Sequence, residues 1–114
     1  MVGTVKEKKL VAEGTLSVSF SVNEPFSFKA GQYCFVTLIN PPYQDDRDNR
    51  RQFSISNSPN EKGIITITTR LSDSGFKKTL KELPLGSQVE LGPIAGMFTL
   101  PEKPLKPLVF IAGG

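Results

Sequence analysis

At 114 residues the chain is one domain's worth of polypeptide, and a domain of that size buries roughly two thirds of the surface its unfolded chain exposes. Eight Phe, two Tyr and many Val, Ile and Leu exclude a disordered tail, and nothing in the chain approaches the ~20 consecutive apolar residues of a membrane span. The lone cysteine, Cys34, excludes an internal disulfide, the absence of histidine removes His-dependent nucleophiles, zinc sites and haem ligation, and the formal charge of +3 suits an anionic partner only weakly. The start of the chain, Met1-Val2-Gly3-Thr4-Val5-Lys6, is too polar for a secretory signal, so the expected location is cytoplasmic.

The first clear element runs over Leu16, Val18, Phe20 and Val22, which alternate with Ser17, Ser19 and Ser21 as a half-buried strand does. Asn23-Glu24-Pro25 closes it. Phe26 and Phe28 lead into the turn Lys29-Ala30-Gly31 and then a strand over Gln32–Ile39, rich in β-branched and aromatic residues. Pro41-Pro42 stops that strand, and residues 41–50 read as a polar loop. A strand around Phe53–Ser56, a turn over 58–63 and a strand over Ile64–Arg70 follow. Strands this short at this spacing predict a β-barrel or sandwich.

One segment changes period. Phe76, Leu80 and Leu83 fall at i, i+4 and i+7, a short helix with Ser72, Asp73 and Ser74 as N-cap candidates and Pro84 as its stop. Gln88–Leu91 and Met97–Leu100 read as strands. The tail, Leu108–Ala112 followed by Gly113 and Gly114, has the pattern of a fully buried parallel strand opening a βαβ unit.

Two places concentrate chemistry. In Arg50-Arg51-Gln52-Phe53-Ser54-Ile55-Ser56-Asn57-Ser58, strand alternation puts Arg51 and Phe53 on one face, and Gln52, Ser54, Ser56 and Ser58 on the other. A guanidinium can grip a phosphate bidentately and an aromatic ring can stack. An ordinary strand with Phe53 and Ile55 in the core and its arginines in solvent is the competing reading. At the helix start, Gly75, Phe76, Lys77 and Lys78 place backbone N–H groups and two lysines at a positive dipole end. Lysines are unfavourable there unless an anion compensates, although a solvated lysine face accounts for them equally well.

In order and spacing these residues resemble the flavin-binding barrel of the ferredoxin–NADP reductase-like oxidoreductases. Arg51-Gln52-Phe53-Ser54 is similar to that family's Arg-x-Tyr-Ser signature, and Gly31-Gln32-Tyr33 to the Gly-Gln-aromatic before it. Thr68-Thr69-Arg70 with the helix start at Gly75 resembles the pyrophosphate-binding segment, Gly96-Met97-Phe98 the Gly-x-Phe closing strand, and Pro107–Gly114 the first strand of the nicotinamide-nucleotide domain. The resemblance implies an all-β, six-stranded antiparallel Greek-key barrel with one short helix over residues 1–103. Residues 104–114 are then the opening strand of a truncated α/β nucleotide-binding domain.

The implied function is that of an FAD-binding domain of an NAD(P)H-dependent oxidoreductase, passing electrons from a reduced nicotinamide through FAD, or alternatively FMN, to an electron acceptor. Residue by residue, Arg51 pairs with the flavin phosphate and Ser54 stands near the reactive nitrogen as the catalytic candidate. Tyr33, Gln52, Phe53, Thr68 and Thr69 line the cofactor, and backbone N–H groups of Gly75, Phe76 and Lys77 cradle the pyrophosphate. Phe53 replaces the usual Tyr and loses a hydroxyl, while Lys77 stands where many members have Ser on the first helical turn, costing a hydroxyl cap. No metal, nucleic acid or membrane is expected. With the nicotinamide bound elsewhere, the isolated chain should be poorly active, and its exposed Leu108–Ile111 should drive self-association or disorder.

Two rivals remain on the residues alone: a small basic barrel binding single-stranded nucleic acid, and a ligand-free adaptor barrel. Asp45, Asp46 and Asp48 would repel a phosphate backbone, and neither rival explains a β-rich chain that ends in a βαβ-like opening.

Overall fold

The computed structural model describes residues 1–41, 43 and 49–96. In chain order the elements are β1 Val2–Ala12, β2 Thr15–Val22, β3 Tyr33–Thr37, β4 Arg50–Ser54, β5 Ile64–Arg70, α1 Gly75–Glu82 and β6 Gln88–Ala95. The strands form one antiparallel sheet in the order β4-β3-β6-β1-β2-β5. Long connections carry β5 back beside β2 and insert β6 between β3 and β1, as Greek-key crossovers do.

The period of two on β2 sets the inside of the sheet. Leu16, Val18, Phe20 and Val22 are buried, and Ile65 and Ile67 of β5 face the same core. On the opposite face the hydroxyls of Ser19 and Thr66 meet across the β2–β5 ladder at 2.8 Å. Cys34 and Val36 of β3 and Val89 and Leu91 of β6 complete the core, each worth on the order of 1.5–3 kcal/mol for a full-sized aliphatic side chain.

β1 is the strand that sequence reading missed. Its register shifts between Val5 and Glu7 and again between Leu10 and Ala12, so no single alternation runs through it. Only Gly3 and Val5 are buried, and Glu7, Lys8 and Lys9 occupy its middle. Gly3 is required where β1 crosses β6, since a Cβ there would overlap the Leu91 side chain. Beyond Val5, whose N–H and carbonyl still bond Ser87 and Gly86 ahead of β6, the strand's ladder is with β2, forming an extended ribbon. The six described strands therefore include β1, while the predicted strand at 97–100 and the apolar run at 108–112 lie outside the described residues.

The sheet does not close into a continuous barrel. Its two end strands, β4 and β5, meet just beyond β4, where a single bridge joins Ile55 to Ile67 and the Ser56 N–H donates to the Thr66 carbonyl at 2.8 Å. α1 packs Phe76, Thr79 and Leu80 inward. Of the three N-cap candidates Ser74 is the cap, accepting from the Lys77 N–H at 3.3 Å. A helix of two turns needs such packing to persist. Among the described residues no helix is long and apolar enough to cross a membrane, and no group of three or more His, Cys, Asp or Glu side chains could hold a metal ion.

Candidate functional site

β4 lies at the end of the sheet, and its register assigns each of its side chains to a face. Arg51 pairs with Val36 and Phe53 with Cys34, so both point to the inner side. Arg50, Gln52 and Ser54 pair with Thr37, Phe35 and Tyr33 on the outer side. The ladder's phase follows from two bonds: the Ile55 N–H donates to the Gln32 carbonyl at 3.0 Å, and the Leu38 N–H to the Asn49 carbonyl at 2.9 Å. Antiparallel pairs alternate between bonded and non-bonded, so Gln52 and Ser54 sit at non-bonded positions. Their backbone N–H groups, with the Gln52 carbonyl, point away from β3 into the open edge.

Beside that edge lies a cleft of about 440 Å³ lined by Arg51, Gln52, Phe53, Thr69, Ser72, Ser74 and Lys77. Four pieces of chain contribute to it: β4, the end of β5, the link that follows, and α1. Phe76, only 2% exposed, lies behind the wall with its ring 5.7 Å from that of Phe53 and 5.2 Å from the Arg51 guanidinium. A cation over a ring in a partly dry site gains from the ring's quadrupole, so Phe76 holds Arg51 in place. The first turn of α1 carries no acidic residue, leaving its positive dipole end aimed at the cleft beside Lys77. Two cations from different elements, three hydroxyls (Thr69, Ser72 and Ser74) and a helix start form a donor set suited to a diphosphate.

Most of the residues picked out by sequence converge here. Arg51, Gln52, Phe53, Thr69 and Lys77 line the cleft, and Gly75 and Phe76 open the adjoining helix. Thr68 does not join them. It projects from the other side of β5, its hydroxyl 3.2 Å from that of Ser56. Tyr33 and the exposed Ser54 face each other across β3 and β4 on the outer side, at the margin of the cleft and outside its walls. The Lys77 N–H is spent on the Ser74 hydroxyl, so it is not available for the backbone cradle expected at the helix start. The hydroxyl expected to be lost at Lys77 reappears at Ser74, whose Oγ is also 3.3 Å from that of Ser72.

Sequence reading missed Ser72 and Ser74 as cleft residues, because capping alone accounted for them. Cys34 is buried on the inner face, where burial pushes its thiol above the ordinary value, and it takes no part in the cleft.

The fold and the donor set of the cleft fit a β domain that binds a dinucleotide cofactor of an oxidoreductase. The profile of the oxidoreductase FAD-binding domain family matches residues 2–99, and the chain belongs to that family. It is 31% identical over 113 residues to the phenol hydroxylase P5 protein of Acinetobacter pittii, covering 97% of this chain and 30% of that protein. Among solved structures it is similar to the Amycolatopsis cytochrome P450 reductase GcoB, with 28% identity and a TM-score of 0.72 over 89% of this chain and 29% of that one. It also shares its fold with a Neisseria gonorrhoeae ferredoxin NADP+ reductase solved with FAD and NADP, at 16% identity and a TM-score of 0.69 over 85% of this chain and 38% of the other. The chain thus spans about a third of the length of the proteins it resembles.

Proposed function

We propose that this chain is the FAD-holding part of a reductase that takes electrons from NAD(P)H and delivers them to a separate acceptor. One observation carries the reading: Arg51 from β4 and Lys77 from α1 converge on a single cleft beside a helix start, 26 positions apart in sequence. That arrangement matches a diphosphate, the one doubly anionic part of FAD. Bound FAD would supply hydride acceptance and the release of one or two electrons at a time.

The chain's own residues would bind and orient. Arg51 holds phosphate through a forked pair of N–H donors, and Lys77 adds a point charge opposite. Thr69, Ser72 and Ser74 supply neutral donors, while Phe53 offers an apolar wall. At the open edge the Gln52 and Ser54 N–H groups meet the polar rim of the ring system, and the Ser54 hydroxyl stands by its reactive nitrogen. Residues 1–103 form this flavin unit. The apolar run with terminal glycines in 104–114 would open the domain that holds the nicotinamide.

The test is a visible absorption spectrum of the purified chain after incubation with excess FAD and gel filtration. Flavin bands should be retained, and Arg51→Ala should weaken FAD binding about 10- to 100-fold, as for loss of a charge-assisted hydrogen-bond pair. The 114-residue chain alone should oxidise NAD(P)H poorly, and rapid turnover would contradict the division of labour. If both this chain and a version extended through the remaining two thirds of its relatives' length stay colourless, the flavin reading falls.

A further inference from the structure

The β1–β2 ribbon has a free edge. Over residues 6–12, β1 has β2 on one side, and on the other no strand among the described residues. Every side chain of that stretch is exposed except Lys8, which is half-buried. The two register shifts fall at its ends, so the ladder from Glu7 to Leu10 is regular. Extended chain of this length presents about 23 Å of backbone edge.

The stretch carries three lysines, Lys6, Lys8 and Lys9, against one acid, Glu7. Lys8, opposite the buried Val18, donates to the Lys81 carbonyl in the last turn of α1. Lys9 meets Glu7 at 3.7 Å, both side chains lying more than half in water, and such a pair is worth little. Beside them Leu10 and Val11 are 63% and 50% exposed. A second copy of the chain would add its own lysines to this edge, and like charges facing each other weaken a ladder. An acidic strand meets no such penalty. An edge guarded by lysines yet apolar at Leu10 and Val11 sorts its partners by the sign of their charge.

We propose that the free edge of β1 over residues 6–12 docks an extended acidic segment of another protein, which adds a strand to the sheet. Its backbone takes up the unpaired groups of the edge, its carboxylates face Lys6 and Lys9, and its apolar side chains lie beside Leu10 and Val11. The edge is separate from the cleft: Lys81 stands in the last turn of α1, whereas Ser74 and Lys77 border the cleft at the first. The docking site therefore stands or falls independently of the flavin reading.

The test is amide hydrogen exchange, resolved by NMR, on the full chain with a capped seven-residue peptide of alternating Glu and Val. Exchange at alternate amides between Glu7 and Val11 should slow by about tenfold or more, because strand pairing engages every second residue of an edge. A Lys and Val peptide of the same length should give no slowing, nor should the acidic peptide N-methylated throughout, which keeps the charge and loses the donors. Replacing both Lys6→Glu and Lys9→Glu should weaken the acidic peptide about tenfold. Protection retained at the β2 and β5 amides certifies that this variant is folded.

No slowing with the acidic peptide would overturn the docking site, as would equal binding of the acidic and basic peptides. Full affinity of the N-methylated peptide would reduce the contact to charge alone and overturn strand addition. Amides on both edges of residues 6–12 that already exchange slowly in the chain by itself would overturn it too. Protection that rises with protein concentration would then assign the edge to a second copy, and protection independent of concentration to the chain's own residues 97–114.

Discussion

The two end strands of the sheet treat their edges in opposite ways. On β5 the backbone groups facing outward are consumed: the Thr66 carbonyl accepts from the Ser56 N–H, the Thr66 N–H donates to Asn57 Oδ1 at 2.8 Å, and Asn57 Nδ2 donates to the Ile64 carbonyl at 2.9 Å. The Asn57 amide stands in for a missing stretch of strand. On β4 the N–H groups of Gln52 and Ser54 instead face an open cleft margin flanked by cations and aromatic rings. An exposed strand edge is a hazard that proteins usually cover. One edge is sealed by a side chain, and the other, left open beside a helix start, is the edge at which the proposed flavin ring would meet the backbone.

The largest expected effect probes what supports the open edge. Phe76→Ala removes a side chain that is 2% exposed and backs both Phe53 and Arg51. Urea unfolding should show a loss of about 3–5 kcal/mol, a large share of a typical domain's stability. A loss below about 1 kcal/mol would mean that the α1 side of the site is not held by this packing.

Next comes the sealed edge. Asn57→Ala leaves the Thr66 N–H and the Ile64 carbonyl without their amide partner, and should cost about 1–3 kcal/mol. Hydrogen exchange at the Thr66 amide should accelerate, because its acceptor is gone. FAD affinity of the folded fraction should stay within about twofold. A larger drop would show that the two edges are coupled through Ile55 and Ser56, and the contrast between them would need redrawing.

How much of this was legible in sequence depends on how cleanly each segment kept its period. β5 was readable to its ends because Ile64–Arg70 is dense in β-branched residues, and α1 because Phe76 and Leu80 repeat beside strong capping residues. β1 was not, since two register shifts and a charged middle erase its alternation. β4 was placed late, around 53–56, and Arg50 was read into the polar loop over 41–50, because its place on the strand shows only in the ladder with Thr37. The site itself was partly visible: alternation separated Arg51 and Phe53 from Gln52 and Ser54 correctly. It could not show that Phe76 acts through its ring, or that a cleft wraps the strand edge. Those depend on how α1 docks against β4, a long-range relation with no local signature.

The smallest effect is also the sharpest test of phase. Thr68 and Thr69 are adjacent and chemically identical, and sequence reading assigned both to the cofactor. On a strand, neighbours point to opposite faces. Thr69 lines the cleft, whereas Thr68 meets Ser56 on the other side. Thr69→Ala should therefore weaken FAD binding about threefold, the value of one neutral hydrogen bond. Thr68→Ala should leave FAD binding unchanged and alter stability by no more than about 0.5 kcal/mol. The reverse pattern would place β5 one residue out of register with the cleft. Such a slip would also turn Ile65 and Ile67 out of the core, where both are 0% exposed. The contrast between two threonines thus checks the register on which the whole cleft depends, at a cost in stability too small to confuse the result.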